Sequence, residues 1–320
     1  MKYLLVILLL VGCKGDVKNK QESTKTNSPK IQSGVSLVVL GTAQDGGSPH
    51  IGCKKECCKE LWNKPDKTRK VVSLGIVDYE NDKRFIFEAS PDFTSQAANL
   101  NEWADKENDL MPDGILITHA HIGHYTGLMF LGREAKGAKK VPVYAMPKMT
   151  EFLSSNGPWD QLVKLKNIKL QELEINQENI LSPNVNVTPL QVPHRDEYSE
   201  TVGFVISGKQ KSALFIPDID KWEKWDEDII DWVAKVDFAF LDATFYDANE
   251  INNRDISEIP HPFVIESMEL FKDLSKEEKA KIHFIHLNHT NPLWDMESEA
   301  YKLVLESGFR VAEFGQKVDL

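Results

Sequence analysis

Three histidines stand close together after a short apolar run, in Thr118-His119-Ala120-His121-Ile122-Gly123-His124. In an extended segment, residues two apart project to the same side, so His119 and His121 can bind one metal ion together. If the chain then turns into a helix, His124 in its first turn reaches the same pocket. Imidazole nitrogens bind zinc, iron, manganese or nickel. The pattern therefore predicts a metal centre at a strand-to-helix junction.

Short apolar and β-branched runs, with helical patterns between some of them, must position these histidines. The pattern predicts strands over 35–40, 71–77, 84–87, 114–117, 141–144, 185–192, 202–206, 213–216, 238–241 and 282–287. It predicts helices over 93–103, 127–135, 148–155, 225–236, 262–274 and 297–306. This mixed order predicts an α/β fold in which two sheets are covered by outer helices, a four-layer αββα sandwich.

The composition indicates a folded protein and excludes several classes of function. Of the 320 residues, 41% are hydrophobic and 27% are charged, a balance typical of globular proteins. The formal net charge of -11 repels phosphate backbones, so we expect a small-molecule substrate and no nucleic-acid partner. Four cysteines are too few for a disulfide scaffold.

The first residues have the pattern of an export signal. An apolar run over 3–12 is too short to cross a bilayer but suits a secretory signal peptide, and it ends in Leu10-Val11-Gly12-Cys13. This ending resembles a bacterial lipobox, which implies lipidation at Cys13. The polar segment 13–34 is typical of a flexible tether. We therefore expect a signal peptide over 1–12, a tether over 13–34 and a domain over 35–320, lipid-anchored in the bacterial cell envelope.

The histidine cluster resembles the HxHxDH signature of the metallo-β-lactamase fold superfamily, and further landmarks follow in that family's order. His194 lies 73 residues beyond His121, where the family has the third histidine of its first metal site. Asp218 follows 24 residues later, where the family has the carboxylate that bridges two metal ions. Asp242 ends another predicted strand, as in ribonuclease Z-like members. The last histidine of the second site belongs at His286 or His289.

This resemblance implies an αββα fold and up to two metal ions, zinc first and iron or manganese as alternatives. The first site would be formed by three histidines and a carboxylate, His119, His121, His194 and Asp218. The implied second site contains His124, Asp218 and, by preference, His286. His289 would then face the substrate or support a ligand, and His261 either donates a proton to a leaving group or is an ordinary loop histidine.

A narrower resemblance is to the pyrroloquinoline quinone biosynthesis protein B (PqqB) family. It is carried by residues 41–49, 53–58, 88–92 and 286–292 together with His261-Pro262. The resemblance implies a role in maturing a quinone cofactor, by iron-dependent hydroxylation of a peptide-derived precursor. Members of that family generally lack the histidine pair that stands here as His119 and His121, and they are not usually exported lipoproteins.

Gly123 occupies the position where the superfamily signature has aspartate. Two divalent cations held by one carboxylate would leave much positive charge uncompensated. We therefore expect the second site to be weak or empty unless Asp45 or Asp92 replaces the missing ligand. Asp45 and His50 lie in a glycine-rich loop after the first strand, where they can line the mouth of a pocket.

The three remaining cysteines, Cys53, Cys57 and Cys58, lie in one loop. With a histidine such as His50, three thiolates can form a tetrahedral zinc site. In an oxidising exported setting, the alternative is a disulfide and one free thiol.

The most economical function is hydrolysis. A metal ion in the first site would lower the pKa of a coordinated water, Asp218 would orient that water, and an ester, lactone, thioester, amide or phosphodiester could be cleaved. The alternatives are a PqqB-type iron-dependent oxygenase and a protein that binds metal or quinone without turnover.

Overall fold

The computed structural model describes residues 33–104, 111–251 and 259–320. The predicted signal peptide, Cys13 and nearly all of the predicted tether lie outside the described residues. Among the helices of the described part, none combines the length and the hydropathy needed to cross a bilayer.

Fourteen strands are present in the described residues. They are β1 (Val35–Gly41), β2 (Ser73–Asp78), β3 (Lys83–Phe87), β4 (Gly114–Leu116), β5 (Val141–Ala145), β6 (Ile168–Glu172), β7 (Asn179–Ser182), β8 (Val185–Gln191), β9 (Val202–Ser207), β10 (Ser212–Ile216), β11 (Phe238–Asp242), β12 (Ile282–Ile285), β13 (Arg310–Val311) and β14 (Lys317–Asp319). They form two seven-stranded sheets with the orders β14-β1-β2-β3-β4-β5-β6 and β13-β12-β11-β10-β9-β8-β7. Each sheet has an antiparallel half and a parallel half, and the parallel half runs from β3 to β6 in the first sheet and from β10 to β13 in the second.

Helices connect and cover the strands. The α-helices are α1 (Glu56–Lys59), α2 (Phe93–Trp103), α3 (Ile122–Tyr125), α4 (Pro147–Ser155), α5 (Trp159–Lys164), α6 (Ile229–Lys235), α7 (Val264–Leu270), α8 (Lys276–Lys279) and α9 (Glu299–Glu306). Short 3₁₀ segments occur at Thr126–Leu131, Trp222–Lys224, Ala248–Glu250 and Pro292–Trp294.

Three apolar layers hold the domain together. Between the sheets, buried phenylalanines from both sides interlock, and the Phe87 ring lies 5.4 Å from the Phe204 ring. On the outer face of the first sheet, side chains of α2, α4 and α5 are buried. Side chains of α6, α7 and α9 cover the outer face of the second sheet. Because burial of apolar surface is the main favourable term in folding, these layers fix the αββα sandwich, and the predicted fold class is confirmed.

The differences from the predicted elements have a common physical cause. The four strands that the sequence pattern missed, β6, β7, β13 and β14, are the four edge strands of the two sheets. Edge strands bury little and tolerate polar residues, so they lack a clear apolar pattern. The predicted helix over 127–135 was wrong in type and length: a 3₁₀ segment runs from Thr126 to Leu131, where Gly127 is pressed against the backbone near Ser90.

Candidate metal centre

The carboxyl ends of strands from both sheets meet at one edge of the sandwich. In the first sheet β1, β3 and β4 run in one direction, and in the second β8, β10, β11 and β12 do so. Chemically active side chains lie at or after these strand ends: Asp45, Glu88, His119, His121, His194, Asp218, Asp242 and His286. The topology therefore brings together residues that are up to 241 positions apart.

The first group of donor atoms consists of His119, His121, His194 and Asp218. His121 Nδ1 lies 2.9 Å from His119 Nε2 and 3.3 Å from His194 Nε2. Asp218 Oδ2 lies 3.4 Å from His119 Nε2 and 3.2 Å from His194 Nε2. Four donors at zinc–nitrogen bonding distance around a tetrahedral ion stand about 3.3 Å apart, so this group fits such an ion.

The second group consists of Asp45, His124, Asp218 and His286. Asp45 Oδ1 lies 2.9 Å from His124 Nε2 and 3.3 Å from His286 Nε2. Asp218 Oδ2, which belongs to the first group, also lies 3.8 Å from His124 Nε2. One carboxylate oxygen therefore faces both groups, as a bridging ligand would.

Asp45 takes the place of the carboxylate that is missing at Gly123. A Cβ built on Gly123 would collide with the Asp45 carboxylate and lie 2.7 Å from its Cα. The second expected substitute, Asp92, is not part of the centre, because its Oδ2 accepts a hydrogen bond from the Val71 N–H at 2.8 Å near the start of α2. Of the two alternatives, the structure brings Asp45 into the second group and corrects the expectation for Asp92.

Buried polar atoms without hydrogen bonds also indicate an ion. His124 Nε2 and Asp218 Oδ1 are buried and lack a hydrogen bond of good geometry to any described residue. Such atoms are costly to bury unless something else satisfies them. A metal ion bound by both groups would satisfy His124 Nε2 directly, so the residues present fit the implied metal.

Neighbouring carboxylates and histidines within the centre shift each other's pKa values. Burial raises the pKa of Asp218, but His194 and His261 lower it further, and the net pKa lies well below the usual range. Burial lowers the pKa of His194, whereas Asp218 and Asp220 raise it to about 9. Burial also raises the pKa of Asp45, but His124 and His286 lower it well below the usual range. Asp218 and Asp45 therefore stay ionised around neutral pH, ready to bind a cation.

Supporting residues orient the ligands. His119 Nδ1 and the Thr118 hydroxyl are 2.9 Å apart, and this hydroxyl donates to Glu88 Oε1 at 2.6 Å. The same Glu88 oxygen lies 3.2 Å from His124 Nδ1. Asp220 Oδ1 lies 3.2 Å from His194 Nδ1. Such contacts fix which ring nitrogen faces a metal. Sequence reasoning did not identify Glu88 or Asp220 in these roles. Glu88 directly follows β3, and Asp220 lies shortly after the end of β10.

His261 lies beside the second group, between two carboxylates. Its Nδ1 is 2.9 Å from Asp242 Oδ2 and 3.2 Å from Asp218 Oδ1. Burial lowers the pKa of His261, but Asp242 and Asp218 raise it to about 10. Asp242 also accepts from the Thr244 hydroxyl at 2.7 Å, and this hydroxyl lies 2.9 Å from His286 Nδ1. The structure thus places His261 and Asp242 in the same buried network as the donor groups.

The three cysteines form a separate cluster with His289. Cys57 Sγ lies 3.9 Å from Cys53 Sγ and 3.8 Å from Cys58 Sγ, far beyond a disulfide bond length, and all three thiols are free. Sulfur atoms bound to one tetrahedral zinc ion stand about 3.8 Å apart. Burial and the neighbouring thiols raise the pKa of Cys57 to about 12, and a bound cation would offset the repulsion between three thiolates. The cluster fits a structural metal site, and the alternative of a disulfide is not observed.

Two expectations for histidines are corrected here. His289, expected to face the substrate or to support a ligand, supplies the fourth donor of the cysteine cluster, and its Nδ1 donates to Asn288 Oδ1 at 3.0 Å. His50, expected to complete that cluster, instead stacks on the His289 ring with the centroids 4.5 Å apart. The fourth ligand could not be identified by spacing, because His50 is close to the cysteines in sequence whereas His289 reaches them only through the fold.

The chain is similar to known proteins over most of its length. The model of the β-lactamase superfamily domain matches residues 83–284. The coenzyme PQQ synthesis protein B of Methylorubrum extorquens (strain PA1) is 23% identical over 305 residues, covering 89% of this chain and 99% of the relative. Its counterpart from Xanthomonas oryzae pv. oryzae (strain MAFF 311018) is 22% identical over 306 residues, covering 89% of this chain and 99% of that protein.

Solved structures show the same fold. Zn(2+)-bound PqqB from Methylobacterium extorquens aligns with a TM-score of 0.74 at 23% identity, covering 89% of this chain and 100% of that chain. A diphosphatase from the PhnP family aligns with a TM-score of 0.62 at 22% identity, covering 90% of this chain and 97% of that chain. The chain therefore belongs to the β-lactamase superfamily, has the metallo-β-lactamase fold, and is PqqB-like over most of its length.

Proposed function

We propose that this protein is a metal-dependent hydrolase that cleaves an ester, lactone or phosphodiester type bond in a small molecule, with zinc as its ion. The observation that carries the proposal is the position of Asp218 Oδ2, which lies within 3.8 Å of donor nitrogens from both groups. A carboxylate shared by two donor groups is suited to two-metal hydrolysis. Hydrolases occur among the proteins with this fold, including the PhnP-family diphosphatase.

When bound, the metal ions lower the pKa of a coordinated water and polarise the bond to be cleaved. Asp218 orients the attacking water, because it is fixed at the junction of the two donor groups. His261 is kept protonated by two carboxylates: its Nδ1–H donates to Asp242 Oδ2 at 2.9 Å, and Asp218 Oδ1 lies 3.2 Å from the same nitrogen. The proton that His261 can give to a leaving group is therefore the one on Nε2.

Substrate reaches the centre from the side of His121 and Asp45. Their side chains are 17% and 13% exposed, whereas those of His119, His124 and Asp218 are at most 3% exposed. Glu197, which is largely exposed, lies 3.8 Å from His121 Nε2 at this opening. An acidic residue at the opening and the net charge of -11 disfavour long polyanionic substrates.

A second candidate is a role in quinone-cofactor maturation of the PqqB type. It is supported by the alignment with coenzyme PQQ synthesis protein B over 99% of that protein's length. As an oxygenase it would require iron and would consume dioxygen. If neither hydrolysis nor oxygen uptake is found, the remaining candidate is a protein that binds metal or quinone without turnover.

We also propose that Cys13 is lipidated and anchors the protein in the bacterial cell envelope. Radiolabelled palmitate incorporated by the wild-type chain and not by a Cys13→Ala variant supports it. Equal labelling of both proteins contradicts it.

The function is tested by metal analysis of the protein purified without added metal. Turnover of ester, lactone and phosphodiester substrates is assayed on the same protein, and oxygen uptake is measured with an oxygen electrode. Zinc with hydrolysis is the expected result, whereas iron with oxygen uptake supports the second candidate. His121→Ala should abolish turnover and first-site metal binding. His283→Phe, which alters a histidine outside both donor groups, should retain both properties. Full activity in His121→Ala would overturn the assignment.

A further inference from the structure

The position of Asp45 depends on a loop. In contrast to a ligand at position 123, which α3 would hold, Asp45 lies between β1 and the cysteine segment. Backbone hydrogen bonds fix the start of the loop, where the Gln44 N–H donates to the Leu287 carbonyl at 2.9 Å and the Leu287 N–H donates to the Thr42 carbonyl at 2.7 Å. Beyond Asp45, the Gly47 N–H donates back to the Gln44 carbonyl at 2.8 Å, and residues further along attach this turn to the rest of the domain.

His50 supplies that attachment through its ring and its backbone. A Cβ built on Gly46 would lie 2.5 Å from the His50 ring, so the imidazole packs directly against the residue that follows Asp45. The same ring stacks on His289, with the centroids 4.5 Å apart and an angle of 24° between the planes. The His50 N–H donates to Cys58 Sγ at 3.4 Å. His50 is not one of the four donors of the cysteine cluster.

The cysteine cluster is also linked along the chain to His286, another donor of the second group. His289 belongs to the cluster and His286, three residues earlier, belongs to the second group. The cluster therefore holds both the loop that carries Asp45 and the segment that carries His286. Loss of the cluster metal would free these two segments together.

We propose that His50 is a positioning residue that transmits the order of the cysteine cluster to Asp45, so that the second catalytic ion binds tightly only when the cluster holds its own metal. This inference rests on the two-ion centre of the proposed function. It adds a coupling between two metal sites whose ligands do not overlap.

Zinc binding by the full-length chain tests the coupling without measuring hydrolysis. The wild type should bind three ions per chain, two in the catalytic centre and one in the cysteine cluster. Cobalt substitution should report the cluster separately through its thiolate absorption band. Retention of the first catalytic ion serves as the internal control for folding, because His119, His121 and His194 come together only in the assembled domain.

Two variants of His50 give the decisive comparison. His50→Ala should keep the cobalt–thiolate band but bind the second catalytic ion at least about 10-fold more weakly, the size of effect typical of residues that support ligands. His50→Phe keeps a flat ring between Gly46 and His289 but has no ligand nitrogen, so it should restore wild-type affinity. Unchanged affinity in His50→Ala, or equal loss in His50→Phe, would overturn the proposal.

A third variant tests the cluster itself. Cys57→Ser with Cys58→Ser should lose two ions and keep the first catalytic ion. Loss of the cluster ion alone would show that the sites are independent and would contradict the coupling. If this double variant fails to fold, the His50 pair still decides the question. Inactivity towards every substrate would refute the proposed function and leave these metal counts unaffected.

Discussion

The carboxylate of Asp45 occupies the space that a side chain at Gly123 would need, and the Asp45 Cα lies 2.7 Å from the Cβ position of residue 123. The ligand expected from the helix has been replaced by one from a neighbouring loop. Because the two positions exclude each other sterically, glycine at position 123 is a condition for the Asp45 ligand.

The first prediction follows from this exclusion. Gly123→Ala should displace Asp45 and lose the second catalytic ion while the first ion stays bound, and Asp45→Ala should have the same effect. Metal analysis and zinc titration by calorimetry measure both affinities. Asp226→Ala, which removes an exposed carboxylate, is the matched control and should bind as the wild type does. Tight second-site binding in Gly123→Ala would contradict the steric argument.

Glu88→Gln should weaken metal binding although Glu88 contacts no metal. The buried carboxylate faces His124 Nδ1 and accepts from the Thr118 hydroxyl, so its charge favours the ring orientation that both donor groups need. Loss of such a supporting residue lowers metal affinity about 10- to 100-fold. Competition with a fluorescent zinc chelator measures the change, and Glu178→Gln on the surface provides the comparison. An affinity equal to that of the wild type would rule out this supporting role.

Removal of metal should lower the melting temperature. A ligand that binds only the folded state at about 100 times its Kd stabilises that state by about 2.7 kcal/mol per site. For two or more sites in a domain of this size, we expect a decrease on the order of 5 °C or more on chelation. Asp218→Ala, which lacks the shared ligand, should show a smaller response in the same calorimetric scan. Identical melting curves with and without chelator would argue against metal binding in the folded chain.

Acid sensitivity of the metal-free protein should depend in part on His283. Burial, with Arg310 nearby, lowers its pKa from 6.5 to about 4, and its ring stacks on Phe240 with the centroids 5.0 Å apart. Between these two pH values the unfolded chain binds a proton that the folded chain does not, so stability is complete above pH 6.5 and falls as the pH decreases towards 4. At pH 5 the loss is about 2 kcal/mol.

His283→Phe keeps an aromatic ring against Phe240 and cannot titrate. Urea unfolding of both chelated proteins at pH 7 and pH 5 should therefore show a smaller acid-induced loss in the variant. Chelation removes the separate effect of acid on metal binding. An equal loss in both proteins would assign the acid sensitivity to other groups.

The sequence allowed the general form of the metal centre to be predicted because its main ligands follow apolar strands. His119 and His121 share a side of an extended segment, and Asp218 lies two residues after the end of β10. The local pattern of each ligand was therefore informative. The edge strands, in contrast, bury too little to leave such a pattern.

The remaining assignments depended on loops. Asp45 and Asp92 each follow an apolar strand, and only the fold shows that one carboxylate enters the centre while the other binds the Val71 N–H. The histidine of the cysteine cluster was likewise misassigned. Proximity in sequence favours His50, whereas the backbone bridge between Ala43 and Leu287 brings His289 to the cysteines. These choices are decided by contacts between distant segments, which no local pattern records.

The pairing of β14 with β1 has a practical consequence for handling this protein. The Leu320 N–H donates to the Val35 carbonyl at 2.9 Å, so Leu320 lies beside the first residue of β1. The metal centre lies at the other end of that seven-residue strand, about 20 Å away at the usual rise per residue. A fluorophore or an affinity tag attached after Leu320 would begin at the end of the sandwich opposite the metal centre. Protein immobilised through such a tag would keep its centre accessible to solution.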